Sequence, residues 1–127
     1  MSNLVLDASA LLALLQGEPG VERWETAVGA AAISAVNLSE VVAKLADAGM
    51  SEEEIRTTLE PLGLEVVDFD AEQAYQAGLL HPITRPAGLS LGDRACLALA
   101  RARRIPALTA DQAWDTLRVG VEVHVIR

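Results

Sequence analysis

The sequence predicts an α/β fold, a single domain over residues 1–127 in which a parallel sheet is covered by helices on both faces. Three observations carry this. Short apolar runs of strand composition alternate with helix-like segments along the whole chain. Apolar residues make up 51% of the sequence but aromatics only 3%. The core is therefore aliphatic, which suits strands under helices better than a sandwich. Finally, 127 residues suffice for one substantial core, and no repeat, low-complexity segment or linker divides them.

Each element has its own signal. "NLVL" is a strand, and residues 8–16 form a helix that ends near Gly17. "VERWETAVG" is a short helix between Gly20 and Gly29, and "AAIS" is a second strand. "NLSEVVAKLADAG" reads as a helix with Asn37 as its N-cap and Gly49 as its C-cap. "SEEEIRTTLEPLG" is another, with Ser51 as cap and three acids in its first turn. "LEVVDF" is a strand, and a helix starts from Asp70. The two prolines and the glycine of "HPITRPAG" predict a loop. "SLGDRACLALARARR" is a long buried helix capped by Ser90. "PALTA" is a strand, "DQAWDTL" a short helix and "VEVHVI" the last strand.

The one cysteine, Cys96, sits in "ACLALA". It permits no intrachain disulfide and reads as a small core residue, in keeping with a reducing, cytoplasmic setting. No basic segment precedes an apolar run at the start of the chain, and Ala10–Leu15 is too short to span a bilayer. The net charge of −8 argues against generic nucleic-acid binding. Its distribution is uneven, however. Residues 1–80 carry 14 acids and 3 bases, whereas residues 81–127 carry 4 acids and 7 bases. A phosphate-binding face should therefore come from the last third, from Arg85, Arg94, Arg101, Arg103, Arg104 and Arg118. Arg101, Arg103 and Arg104 serve a helix C-terminus equally well.

Four carboxylates occupy comparable places. In parallel sheets, sites form beyond the carboxyl ends of the strands. Asp7 ends the first strand between two apolar segments. Glu40 lies in the first turn after "AAIS", Asp93 in the first turn of the long helix, and Asp111 directly after "PALT". Each of the last three also has a local use. Asn37-x-x-Glu40 and Ser90-x-x-Asp93 read as capping boxes, Asp111 can cap the helix behind it, and Glu40 can pair with Lys44. Taken together they imply more. Two carboxylates about 5 Å apart repel by roughly 3 kcal/mol at an effective dielectric near 20. A cluster tolerates this by protonation or by binding a cation. Oxygen-only donors without Cys or His partners select a hard ion, Mg²⁺ or Mn²⁺, of the kind that assists phosphodiester cleavage. His81 and His124 lack zinc-ligand spacing.

In order and spacing, "LVLDASALLALL", "NLSEV", "SLGDRACLALA" and "LTADQAW" resemble the PIN-domain ribonucleases, in particular the VapC-type toxins of bacterial toxin–antitoxin pairs. The resemblance covers essentially the whole chain. It implies a PIN-like three-layer sandwich with a central parallel sheet of four to five strands. It also implies Mg²⁺- or Mn²⁺-dependent endonucleolytic cleavage of RNA, often tRNA or rRNA. By the same resemblance Asp7, Glu40, Asp93 and Asp111 are the catalytic and metal-holding acids. Ser9, Asn37 and Thr109 orient them. From the charge balance of the last third, Arg85 and Arg94 are candidate RNA contacts. The implied partners are a VapB-like antitoxin and a second copy of the chain, with no membrane. The antitoxin would use an apolar groove between residues 20–29 and 36–61. Asp115 is an additional acid near the quartet.

Three other readings compete. A phosphoacceptor signalling domain needs a lysine after the last strand, and Lys44, the only lysine, is misplaced for it. A haloacid-type phosphatase needs Asp-x-Asp where this chain has Asp7-Ala8-Ser9. A non-cleaving PIN-like domain that binds RNA or protein is separable from a nuclease by assay.

Overall fold

The computed structural model describes residues 1–126. Strand β1 (Leu4–Leu6) forms from three consecutive apolar residues, all buried. Around it a five-stranded sheet assembles from β2 (Ala31–Ser34), β3 (Glu65–Val67), β4 (Ala107–Thr109) and β5 (Val123–Val125). Its order is β3-β2-β1-β4-β5, and every pairing is parallel. The chain runs outward from β1 to β2 and β3, then returns across the sheet to β4 and β5. Between β1 and β4 it therefore reverses direction, and a crevice opens at their carboxyl ends.

The alternation of side chains along a strand splits the core in two. Leu4, Leu6, Ile33 and Leu108 face α1 (Ala8–Gln16), α2 (Ala35–Asp47) and α3 (Glu52–Leu59), meeting Leu11, Val41, Ile55 and Leu59. Val5, Ala32 and Ala107 face the other way, toward α4 (Ala71–Leu79) and α6 (Leu91–Arg103), and pack with Ala77, Cys96, Leu97 and Trp114. The result is three layers, as the alternation of elements predicts. Among the described residues no helix is long and apolar enough to cross a membrane.

Local capping agrees with the sequence at most boundaries. Ser51 and Ser90 form capping boxes with Glu54 and Asp93, and Asp70 caps α4. Three expectations are corrected. Asn37 is not an N-cap. The hydroxyl of Ser34, at the end of β2, accepts the Val36 N–H, so α2 begins at Ala35 and Asn37 lies buried inside it. Its C-cap is Ala48 rather than Gly49. The segment predicted as a loop contains α5 (His81–Thr84) and a 3-10 turn, Arg85–Ala87. Pro82 and Pro86 sit in the first turns of these, where no N–H is needed. The short helix predicted at "VERWETAVG" is present as a 3-10 helix, Glu22–Ala30.

Candidate active site

The site starts from Asp7. The carboxylate closes β1 and caps α1, accepting the Ala10 N–H at 2.8 Å. It is 3% exposed. Two hydroxyls complete its surroundings. Thr109 Oγ1 donates to it at 2.6 Å and Ser9 Oγ at 2.8 Å. Each hydroxyl in turn accepts a backbone N–H from the loop after β4, Ala110 onto Ser9 at 2.9 Å and Asp111 onto Thr109 at 3.0 Å. A hydroxyl has one proton. Because the loop's N–H groups occupy the acceptor sides, those protons are directed to Asp7. The network ties the ends of β1 and β4 together across the crevice.

Glu40 is placed by contact between two helices. Asn37 Nδ2 donates to Glu40 Oε1 at 2.9 Å and to the Gly92 carbonyl, also at 2.9 Å. One amide thereby pins α2 to the start of α6 and holds the Glu40 carboxylate against Gly92. A Cβ at Gly92 would collide with that carboxylate. The need for glycine was not read from the sequence; the only signal was its place one residue before Asp93.

The crevice gathers all four predicted acids. Asp7, Glu40, Asp93 and Asp111 line one cleft of about 240 Å³, with Ser9, Leu12 and Lys44. They come from the ends of β1 and β4 and the first turns of α2 and α6. Three of them also keep the local uses that the sequence suggested or their helix provides. Asp93 accepts the Ser90 N–H, Asp111 the Ala113 N–H, and Glu40 the Asn37 amide, each through one oxygen. As placed, no three Asp, Glu, His or Cys residues among those described form a group that could hold one ion. The donor chemistry nonetheless suits a hard divalent cation, with four carboxylates around the single ammonium of Lys44.

Burial dominates the electrostatics of the site. Burial pushes Asp7 up to about 6, against the pull of its bonds from Thr109, Ala10 and Ser9, and the Asp93 charge adds to the rise. Cys96 lies fully buried beneath the cluster. Burial, then the charges of Asp7, Asp93 and Glu40, drive its thiol well above the ordinary range, so it is a core residue and no nucleophile.

The arginines lie elsewhere. Arg94 turns away from the cleft and donates to the Ala77 carbonyl of α4 at 3.0 Å. Arg85 caps the end of α5. Arg103 pairs with Glu65 at 2.9 Å near the far end of α6, about 15 Å from Asp93 at 1.5 Å per residue. Asp115 lines a separate cleft with Arg23, Trp24 and His124. The apolar groove is not where the sequence places it, between residues 20–29 and 36–61: it lies between α2 and α3, lined by Leu38, Val42, Met50, Ile55 and Leu59, and no residue of 20–29 lines it.

The model of the PIN domain matches residues 4–119. This chain belongs to the PIN-domain family. Among curated proteins no sequence matches it. Solved structures share the PIN fold at low identity. VapBC2 from Rickettsia felis, bound to a DNA fragment from its promoter, superposes with a TM-score of 0.76 at 17% identity, covering 98% of each chain. DNA-bound VapBC from Salmonella typhimurium gives 0.76 at 19%, covering 100% of both. Mycobacterium tuberculosis VapC20, a Sarcin-Ricin loop cleaving toxin, gives 0.72 at 18%, covering 94% of this chain and 98% of its own. At these identities the likeness establishes the PIN fold alone.

Proposed function

We propose that this PIN domain is a Mg²⁺-dependent endoribonuclease, the toxin of a toxin–antitoxin pair, with Mn²⁺ able to substitute. One observation carries the reading: four carboxylates from four separate elements line one cleft at the sheet's reversal point. Asp7, Glu40 and Asp93 would hold the ion, with Asp111 completing the set or orienting a water. Bound there, a divalent ion lowers the pKa of a coordinated water and offsets charge on the phosphate. The protein's own contribution is positional. Ser9 and Thr109 hold Asp7, and Asn37 holds Glu40 against Gly92. Lys44 is the cation in the cleft's lining that can meet a phosphate oxygen.

The substrate class is RNA, with tRNA or rRNA the first to test. The cytoplasmic partner is a VapB-like antitoxin, whose amphipathic segment would fill the α2–α3 groove. The VapBC complexes from Rickettsia felis and Salmonella typhimurium support that pairing. A homodimer belongs to the same reading. The protein donors already satisfying Asp7 favour the second reading, a non-cleaving binding domain.

The two readings separate on purified protein. Wild type should cleave tRNA or rRNA in Mg²⁺ and not in EDTA, and Mg²⁺ should raise its melting temperature. Asp7→Asn and Asp93→Asn should lose cleavage and most of that thermal increment while remaining folded by circular dichroism. Wild-type-like cleavage by either variant sinks the site. No cleavage and no Mg²⁺ stabilisation in wild type leaves the binding domain.

A further inference from the structure

A second cleft adjoins the acidic one. Its volume is about 510 Å³, against about 240 Å³ for the acidic cleft, and lies within the range of small-molecule sites. Arg23 and Trp24 of the 3-10 helix Glu22–Ala30, Gln112, Asp115 and Thr116 of the 3-10 helix Gln112–Thr116, and His124 of β5 line it. The fold fixes its place beside the acids. Asp111 caps the second of these 3-10 helices and lines the acidic cleft, and the next residue, Gln112, lines this one. Val125 of the same lining stands in register with Thr109, whose hydroxyl bonds Asp7. Strands β1, β4 and β5 are successive neighbours, so β5 lies two spacings of about 4.8 Å from β1.

The cleft collects flat, polarisable groups in a chain that has few. Of four aromatic residues, Phe69 and Trp114 pack into the layer under α4 and α6, and Tyr75 projects from α4. Trp24 instead lines the cleft, with the Arg23 guanidinium 4.8 Å from its ring centroid. His124 is in register with Leu108 and so stands on the Leu108 side of the sheet, where its ring lies 5.3 Å from that of Trp24. Indole, guanidinium and imidazole planes are the surfaces on which unstacked RNA bases stack. Around them, Asp115 offers a carboxylate, and Gln112 and Thr116 offer both donors and acceptors.

We propose that this cleft is the subsite for one guanine of a single-stranded RNA substrate, in the nucleotides that flank the bond at the acidic cleft. The base stacks on the Trp24–Arg23 pair and presents its Watson–Crick edge to Asp115. A carboxylate only accepts hydrogen bonds. Guanine alone among the four bases has two adjacent donors on that edge, N1–H and the 2-amino group, to match its two oxygens. The inference rests on the RNA reading above and adds to it a choice of sequence.

The test is a fluorescence titration on the full chain. Trp114 is fully buried, so quenching by a stacked base reports on Trp24. The probes are short oligouridylates with one central guanine, inosine, adenine or uracil. They are titrated into Asp93→Asn in Mg²⁺, which spares them from cleavage, and into wild type in EDTA. The guanine strand should quench the emission and bind at least fivefold tighter than the all-uridine strand. Inosine, which lacks the 2-amino group, should lose most of that preference. Asp115→Asn should abolish the preference and leave binding of the all-uridine strand unchanged. Arg23→Lys keeps the charge but loses the plane, and should weaken the guanine strand at least threefold. Trp24→Leu should weaken it at least fivefold. Trp24 also packs against the core, so circular dichroism and melting temperature accompany that variant. Arg23 and Asp115 are exposed, and their variants carry the test if it misfolds. Equal binding of all four strands overturns the proposal. So does a guanine preference that survives Asp115→Asn, or one without quenching. Guanosine monophosphate binding as tightly as the strand also overturns it, making the cleft a site for free nucleotide. RNA cleavage by wild type without base preference removes the subsite and leaves the nuclease. Guanine preference without cleavage keeps the subsite and removes the nuclease.

Discussion

Replacing Asp7 by Asn should make the metal-free protein more stable at neutral pH and less stable in acid. Folding raises the Asp7 pKa from 3.8 to about 6, chiefly by burial. A group raised on folding holds its proton more tightly in the native state. Its contribution to stability is therefore fully present below about pH 4 and is lost as pH rises through about 6. The gap corresponds to about 3 kcal/mol of stability at low pH that is absent at pH 8. Asn is isosteric and does not ionise, so it escapes that loss. It still accepts the Ala10 N–H, but its amide now faces the Ser9 and Thr109 hydroxyls that donate to Asp7. They must turn to accept, at a cost of about 1 kcal/mol. The net at pH 8 is a gain of about 1–2 kcal/mol, or roughly 3–8 °C in melting temperature for a domain of this size. At pH 4 the wild type should be the more stable of the two. Urea and thermal melts of both proteins in EDTA at pH 4 and pH 8 measure this directly. Asp7→Asn melting lower than wild type at both values would refute the argument, because the carboxylate would then be a net structural asset when charged.

Two further outcomes follow from contacts near the site. Gly92→Ala should displace the Glu40 carboxylate and cut cleavage more than tenfold at little cost in stability, because the clashing atoms end a flexible side chain and alanine favours the helix by about 1 kcal/mol; unchanged turnover would show that Glu40 does not need its present place. Arg94→Ala should destabilise by about 1–2 kcal/mol through its lost bond to Ala77, and leave the salt dependence of RNA binding unaltered. A slope lowered by about one would return Arg94 to the phosphate contacts.

What the sequence determined by itself is local or periodic. Strand and helix composition alternate at intervals that leave one plausible architecture, and Ser51, Asp70 and Ser90 each act within three residues of themselves. The four acids were legible because each sits at a recognisable element boundary. Local reasoning failed where two local signals competed. Ser34 outbid Asn37 as the cap of α2, and two prolines that suggested a loop instead began helical turns. Tertiary structure alone decided the rest. Asn37 has its use only because α6 brings the Gly92 carbonyl within reach, 55 residues away in sequence. Thr109 bonds Asp7 across 102 residues only because β1 and β4 are neighbours in the sheet. Arg94, next to Asp93 in sequence, points away from the cleft because successive residues of a helix stand about 100° apart. A cap depends on its own turn of chain. A site depends on strand order, and strand order follows from burying both faces of the sheet at once.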